Sequence, residues 1–258
     1  MRLLNEIYNY RQMIFSMVRK DLRGRYKGSA LGFLWTFLNP LLQLIVYTFV
    51  FSIVLRADID KFYLFLFVAL VPWIFFSSSI ITGCTCILAQ KDLVKKIYFP
   101  RQVLPIAYVT SSFINMLFSF IVIFFVLIVS GHGVNWSALC YLPLIMCVEY
   151  VLALGMALIF SALNVFFRDL EHILGIVVMA WMYLTPIMYK AEQVPIQFRS
   201  LFYMNPMTPI VIAYRDILYY KQIPHIELLV KAGLLGVGLL IAGMIIFQVL
   251  QKFFAEEL

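Results

Sequence analysis

Residues 62–90 read FYLFLFVALVPWIFFSSSIITGCTCILAQ, a run with no Asp, Glu, Lys or Arg. A helix needs about 20 apolar residues to cross the hydrocarbon core of a bilayer, so this run is long enough to span one. A transmembrane barrel strand would instead alternate apolar and polar residues over about ten positions. Charge-free runs of the same kind occupy 28–55, 102–148, 150–167, 173–189 and 232–251. The run 102–148 holds a span, a turn and the start of another span, the turn being Ser130-Gly131-His132-Gly133-Val134-Asn135.

Composition agrees. Charged residues make up 13% of the 258 positions and hydrophobic residues 64%, with a mean hydropathy of +0.95. A soluble domain carries about 25% charged residues. One core in a chain of this size cannot hide so much apolar surface, so the excess must face lipid. The fold expected is an all-α integral membrane protein of six transmembrane helices, at 30–54, 62–86, 103–129, 138–163, 173–189 and 228–250. Residues 1–27 precede a permease domain, 28–258. They contain seven basic residues and no signal-peptide core. Apolar Met13, Ile14, Phe15, Met17 and Val18 lie beside Arg11, Arg19 and Lys20, which predicts an amphipathic helix at the membrane interface. Cys84, Cys86, Cys140 and Cys147 lack metal-site spacing and read as small packing residues. His132, His172 and His225 are scattered and predict no metal site.

Orientation follows from basic residues. Residues 1–27, the loop after the second span, Arg168 and Lys252 hold 13 of the 20 Lys and Arg, which predicts cytoplasmic termini. Loop 164–172 is placed there only by the count of spans, because Asp169 and Glu171 outweigh Arg168. No pair of broken helices suggests the inverted repeat of a secondary transporter.

The basic run 19–27 enters the first span through Gly24 and Gly28, which let the chain turn from surface to bilayer. The stretch RYKGSALGFLWTFLNPL at 25–41, together with LNVFFRDLEHIL at 163–174 and YMNPMTPIV at 203–211, resembles the type-2 ABC exporter permeases of O-antigen, capsule and teichoic acid systems. The likeness covers nearly the whole chain. It implies a homodimer working with two copies of a separate ATPase subunit, and a lipid-linked glycan as cargo. The site of action it implies is the cytoplasmic (inner) membrane. No G-x-x-x-x-G-K-[ST] occurs in the chain, so ATP and Mg are expected on the partner subunit, with no cofactor in this chain. No nucleophile–base or metal constellation suggests an enzyme, and nothing suggests nucleic acid. The cargo alternatives are a capsule or teichoic acid, or within the same class a drug or lipid.

Three sets of residues follow. The short charged segment 89–101, ended by Pro100, has the form of a coupling loop, and in the resembling family this loop docks on the ATPase. Lys91, Asp92, Lys95, Lys96 and Tyr98 are the expected contacts. Arg168 and Asp169 form a second, smaller contact or simply cap and orient a helix. In the first span Thr36, Asn39, Gln43 and Tyr47 recur at three- and four-residue intervals and share a face. Phe33, Phe37, Leu44, Tyr47 and Phe51 adjoin it. Polar groups avoid lipid, so this face should look into the bundle or a cavity. Aromatic rings beside amides would let a glycan slide, since sugars have one apolar face. The other reading is interfacial aromatics and helix–helix bonding. Finally, 190–224 is too long and apolar for a simple loop. Prolines 195, 206 and 209 break it into short re-entrant or interfacial helices. The resemblance makes them an external gate at Pro206, Pro209, Arg215 and Asp216; the alternative is a static cap. Glu149 is the one acid inside a span. It is either bonded between helices or a proton carrier, and the second role would make the chain an ion-coupled secondary transporter.

Overall fold

The computed structural model describes residues 2–26, 31–56 and 58–258, and among these no strand occurs. Two helices, α1 (Arg2–Asn9) and α2 (Arg11–Tyr26), precede the first span. That span is a 3-10 turn at Gly32–Leu34, α3 (Trp35–Thr48) and a π-helical turn at Phe49–Val54. Then come α4 (Phe62–Ala89), α5 (Lys91–Lys96), α6 (Val103–Val129), α7 (Trp136–Leu139) and α8 (Leu142–Phe166). The chain closes with α9 (Leu170–Leu184), α10 (Arg199–Met204), α11 (Met207–Leu218), α12 (Ile226–Leu250) and α13 (Phe254–Glu257).

Helix α4 is the central one. Leu64 to Leu70 are all fully buried, and α4 packs on α3, α6, α8, α9 and α11. Two spans approach until backbones touch. A Cβ at Gly155 of α8 would lie 2.6 Å from the Leu240 backbone N of α12, and one at Gly243 would lie 2.6 Å from the Gly155 carbonyl. Lipid tails are as apolar as leucine, so helices in a bilayer associate through such close small-residue packing and polar bonds, not through hydrophobic exclusion.

Both ends of the bundle are tied by side chains. At one end Arg101 donates to the Gln251 carbonyl and its guanidinium lies 5.6 Å from the Phe254 ring. Arg168 donates to the Glu257 carbonyl at 3.3 Å, so loop 164–172 shares that end with the C-terminus. At the far end Lys61 reaches the Ser130 carbonyl, Asn135 the Lys221 carbonyl and Lys190 the Asp58 carbonyl.

Among the described residues, five helical stretches are long and apolar enough to span: Gly32–Val54, Phe62–Ala89, Val103–Val129, Trp136–Phe166 and Ile226–Phe253. The sixth expected span, 173–189, is instead Leu170–Leu184. Fifteen residues reach about 22 Å at 1.5 Å each, short of a core about 30 Å thick. Pro186 is the reason. A residue before proline is pushed out of the helical region, and Thr185 is extended at φ −102°, ψ 139°. The N-terminal segment is two helices, not one, and α2 packs on α6. Asp21 accepts from Ser111 of α6 and from Arg25 (2.7 Å), and Arg25 donates to Ser112 at 3.2 Å. The turn expected around Gly28 lies outside the described residues.

Candidate functional site

Three surfaces held expected site residues. The end bearing both termini holds α5. Its Val94, and Phe99 just beyond, are buried, which fastens the segment to the bundle. Lys91, Asp92, Lys95 and Lys96 are exposed, and Tyr98 is 94% exposed. The segment is therefore a short charged platform standing on an apolar root. A cleft of about 500 Å³ runs beside it, lined by Glu6, Tyr10, Lys95, Tyr98 and Arg101 among others. Arg168 and Asp169 lie exposed at this same end, and Asp169 precedes α9 without making a side-chain cap.

The first-span face is arranged differently from expectation. Thr36, Pro40 and Leu44 turn inward, while Asn39 and Gln43 are exposed on the protomer surface, not directed into the bundle. The inward set recurs every four residues, so it takes the helix stripe that α4 and α6 cover. Phe33 packs edge-on against Phe37 (5.4 Å) and Phe118 (5.1 Å), Phe51 stacks on Phe62, and Tyr47 is half-buried. Asn39 and Gln43 therefore face outward from the protomer, away from the inward stripe of Thr36, Pro40 and Leu44.

The far end has the most developed polar structure. Where α9 stops, Asn205 closes a clasp. Its Nδ2 donates to Thr185 Oγ1 (2.9 Å) and to the Leu184 carbonyl (3.4 Å). Its Oδ1 accepts from Trp181 Nε1 (2.9 Å) and from the Met207 backbone N–H (3.0 Å). Four bonds exhaust the amide's capacity. Pro206 caps α11 and Pro209 sits in its first turn, where a missing N–H is harmless. Helix α11 is buried along almost its whole length, between α4, α8 and α12. It is a wedge in the bundle, not a helix lying on the interface.

Two polar contacts hold the wedge. Tyr214 Oη donates to Glu149 Oε2 at 2.7 Å, with both residues fully buried. Arg215 is 3% exposed and sits 3.5 Å from the centre of the Phe65 ring. Its guanidinium donates to the carbonyls of Phe65 (3.3 Å), Tyr189 (3.3 Å) and Ile187 (2.6 Å). Burial pushes Arg215 down to about 9, which still leaves it protonated at neutral pH. Burial raises the Asp216 carboxyl, offset by its bond from Gln222. Asp216 Oδ1 takes that bond at 2.8 Å, and no ion pair joins Arg215 to Asp216 among the described residues. The expected gate residues thus lie together on one helix, Arg215 as an anchor and Asp216 beside a cleft.

The sequence drew attention to Glu149 and to the NPMTP stretch, but not to Tyr214, Trp181 or Thr185. One signal was available: Asn205 and Thr185 each precede a proline, and a polar residue before proline in an apolar run marks a helix end whose freed groups need partners.

Residues 12–219 match the family model described as ABC-2 type transporter. The chain is 36% identical over 259 aligned residues to the O-antigen export system permease protein RfbA of Myxococcus xanthus, covering 100% of this chain and 99% of that one. It is 34% identical to the O-antigen export system permease protein RfbA of Klebsiella pneumoniae, covering 95% of each. The polysialic acid transport protein KpsM of Escherichia coli is 24% identical over 74% of this chain and 75% of its own length. With the family model spanning most of the chain and relatives aligned from end to end, this chain belongs to the ABC-2 type transporter family.

Proposed function

We propose that this chain is the membrane-spanning permease of an ATP-driven exporter that moves a lipid-linked polysaccharide across the cytoplasmic membrane. The substrate class rests on the relatives named for O-antigen export, aligned over the full chain. An O-antigen is the first choice, and a capsule or teichoic acid polymer the alternative. The chain has no phosphate-binding loop, so ATP and Mg would be held by two copies of a separate ATPase subunit.

The observation that carries the mechanism is the α5 platform. A motor subunit needs a rigid lever, and α5 exposes Lys91, Asp92, Lys95, Lys96 and Tyr98 while Val94 and Phe99 root it beside α4. Its end is the one expected to be cytoplasmic from the basic residues. One copy has too few helices to enclose a glycan passage alone, and the exposed Asn39 and Gln43 are a poor match to lipid. A symmetric homodimer would cover that face and place Phe33, Phe37, Tyr47 and Phe51 near the passage. The wedge α11 would close the outer end. Glu149 is engaged by Tyr214, which favours a helix-bonding role over proton coupling.

The test is depletion of the chain in cells that carry it. Lipid-linked glycan should accumulate on the cytoplasmic face while surface glycan falls. Undiminished surface glycan refutes the proposal. Cysteine labelling at Lys95 and Lys96 tests orientation; labelling from outside intact cells refutes the coupling role.

A further inference from the structure

We infer that the far-end cleft between the 190–192 turn, α10, α11 and the start of α12 is a binding subsite for a neutral sugar ring of the exported glycan, an inference that rests on the export reading above. The cleft measures about 670 Å³, within the range of small-molecule sites. Lys190, Glu192, Tyr203, Asp216, Tyr220 and His225 are among its lining residues.

The central observation is Asp216. The residue is 3% exposed, Oδ1 takes the Gln222 bond, and Oδ2 is buried without a well-formed hydrogen bond among the described residues, the His225 backbone N–H being the donor beside the carboxyl. A buried carboxylate oxygen without a donor is unfavourable, and a hydroxyl supplies one. Arg215 also lines the cleft but makes no ion pair with Asp216 among the described residues, its guanidinium donating instead to three backbone carbonyls. Tyr203 and Tyr220 are 44% and 45% exposed; each ring meets one neighbour at a steep angle, Phe202 and Tyr219 respectively, and keeps exposed surface at the cleft. A pyranose matches both features, with C–H faces for the tyrosines and hydroxyl donors for the carboxylate.

Other ligand classes fit less well. No group of three metal-ligating side chains gathers among the described residues. The cleft's two cations, Lys190 and Arg215, are matched by two carboxylates, Glu192 and Asp216, which leaves no net positive charge from these four to hold a phosphate. The subsite would receive sugar units as they leave the passage, holding them weakly enough to release.

The test uses the full-length chain in lipid nanodiscs free of sugar detergents. Saturation-transfer NMR would probe methyl α-glycosides of glucose, mannose, galactose, rhamnose and N-acetylglucosamine, with glycerol as the acyclic control. At least one glycoside should bind above glycerol. Tyr203→Ala and Tyr220→Ala, both at exposed positions, should weaken it roughly three- to tenfold, as expected for loss of one stacking face. Asp216→Asn should weaken it by about tenfold. No glycoside exceeding glycerol, or unchanged binding in all three variants, overturns the subsite. Depletion of the chain separates the two claims. If export stops on depletion but no glycoside binds, only the subsite fails. If export continues without the chain, the export reading fails and the NMR result alone judges the cleft.

Discussion

Replacing Gly155 by alanine should be among the most damaging one-carbon changes in this chain. The added Cβ would meet the Leu240 backbone N at 2.6 Å and the Leu239 carbonyl carbon at 2.8 Å, where ordinary contact begins near 3.4 Å. Neither neighbour is a side chain that can rotate away, so α12 must retreat by about 0.8 Å along the most extensive helix–helix contact in the bundle. Overpacking of this kind costs about 1–3 kcal/mol, and a backbone neighbour puts the change at the upper end. Alanine's better helix propensity returns up to about 1 kcal/mol of this, so at about 2–4 °C per kcal/mol for a chain of this size the melting temperature should fall by about 4–12 °C. Gly238→Ala, on the facing helix α12, is the control. Nothing lies within 4 Å of its added Cβ, and alanine's helix propensity gains up to about 1 kcal/mol. Tryptophan fluorescence during thermal unfolding in nanodiscs gives the comparison. If Gly155→Ala melts at or above Gly238→Ala, the close approach of α8 and α12 is wrong.

Other expectations follow from the polar contacts. Tyr214→Phe strips the only donor from Glu149, whose Oε1 already lacks one, and should destabilise the protein by about 1–3 kcal/mol on the same melting assay. Glu149→Gln keeps a bond to Tyr214 and should retain export; its abolition would support proton coupling instead. Asn205→Ala opens the four-bond clasp between α9 and α11, so cysteine pairs placed across that junction should cross-link more slowly and less completely. Combined reversal of Lys95 and Lys96 to glutamate, at exposed positions, should leave the stability within about 1 kcal/mol of wild type while export falls. Normal export in that variant would remove α5 from the coupling role.

Much of the chain was legible because a bilayer admits so few solutions. Backbone groups must be bonded within a segment, so charge-free runs become helices, and α6 matches the expected 103–129 residue for residue. The α5 platform was legible too, since charge confined between two apolar runs marks an exposed loop. The first-span face was not. Thr36, Asn39 and Gln43 repeat at helical spacing whether their stripe meets the bundle or a second copy, and periodicity cannot say which neighbour covers a face.

By itself, the sequence determined the class and five of the six expected spans, because these depend on local composition read against a fixed solvent thickness. Only the tertiary structure decided that α9 stops short and α11 is wedged in beside it. It alone revealed that Tyr214 meets Glu149 across 65 residues and that Arg215 spends its hydrogen bonds on distant carbonyls. Those pairings arise when separate elements dock and buried polar groups must find partners, a condition that no window along the chain contains.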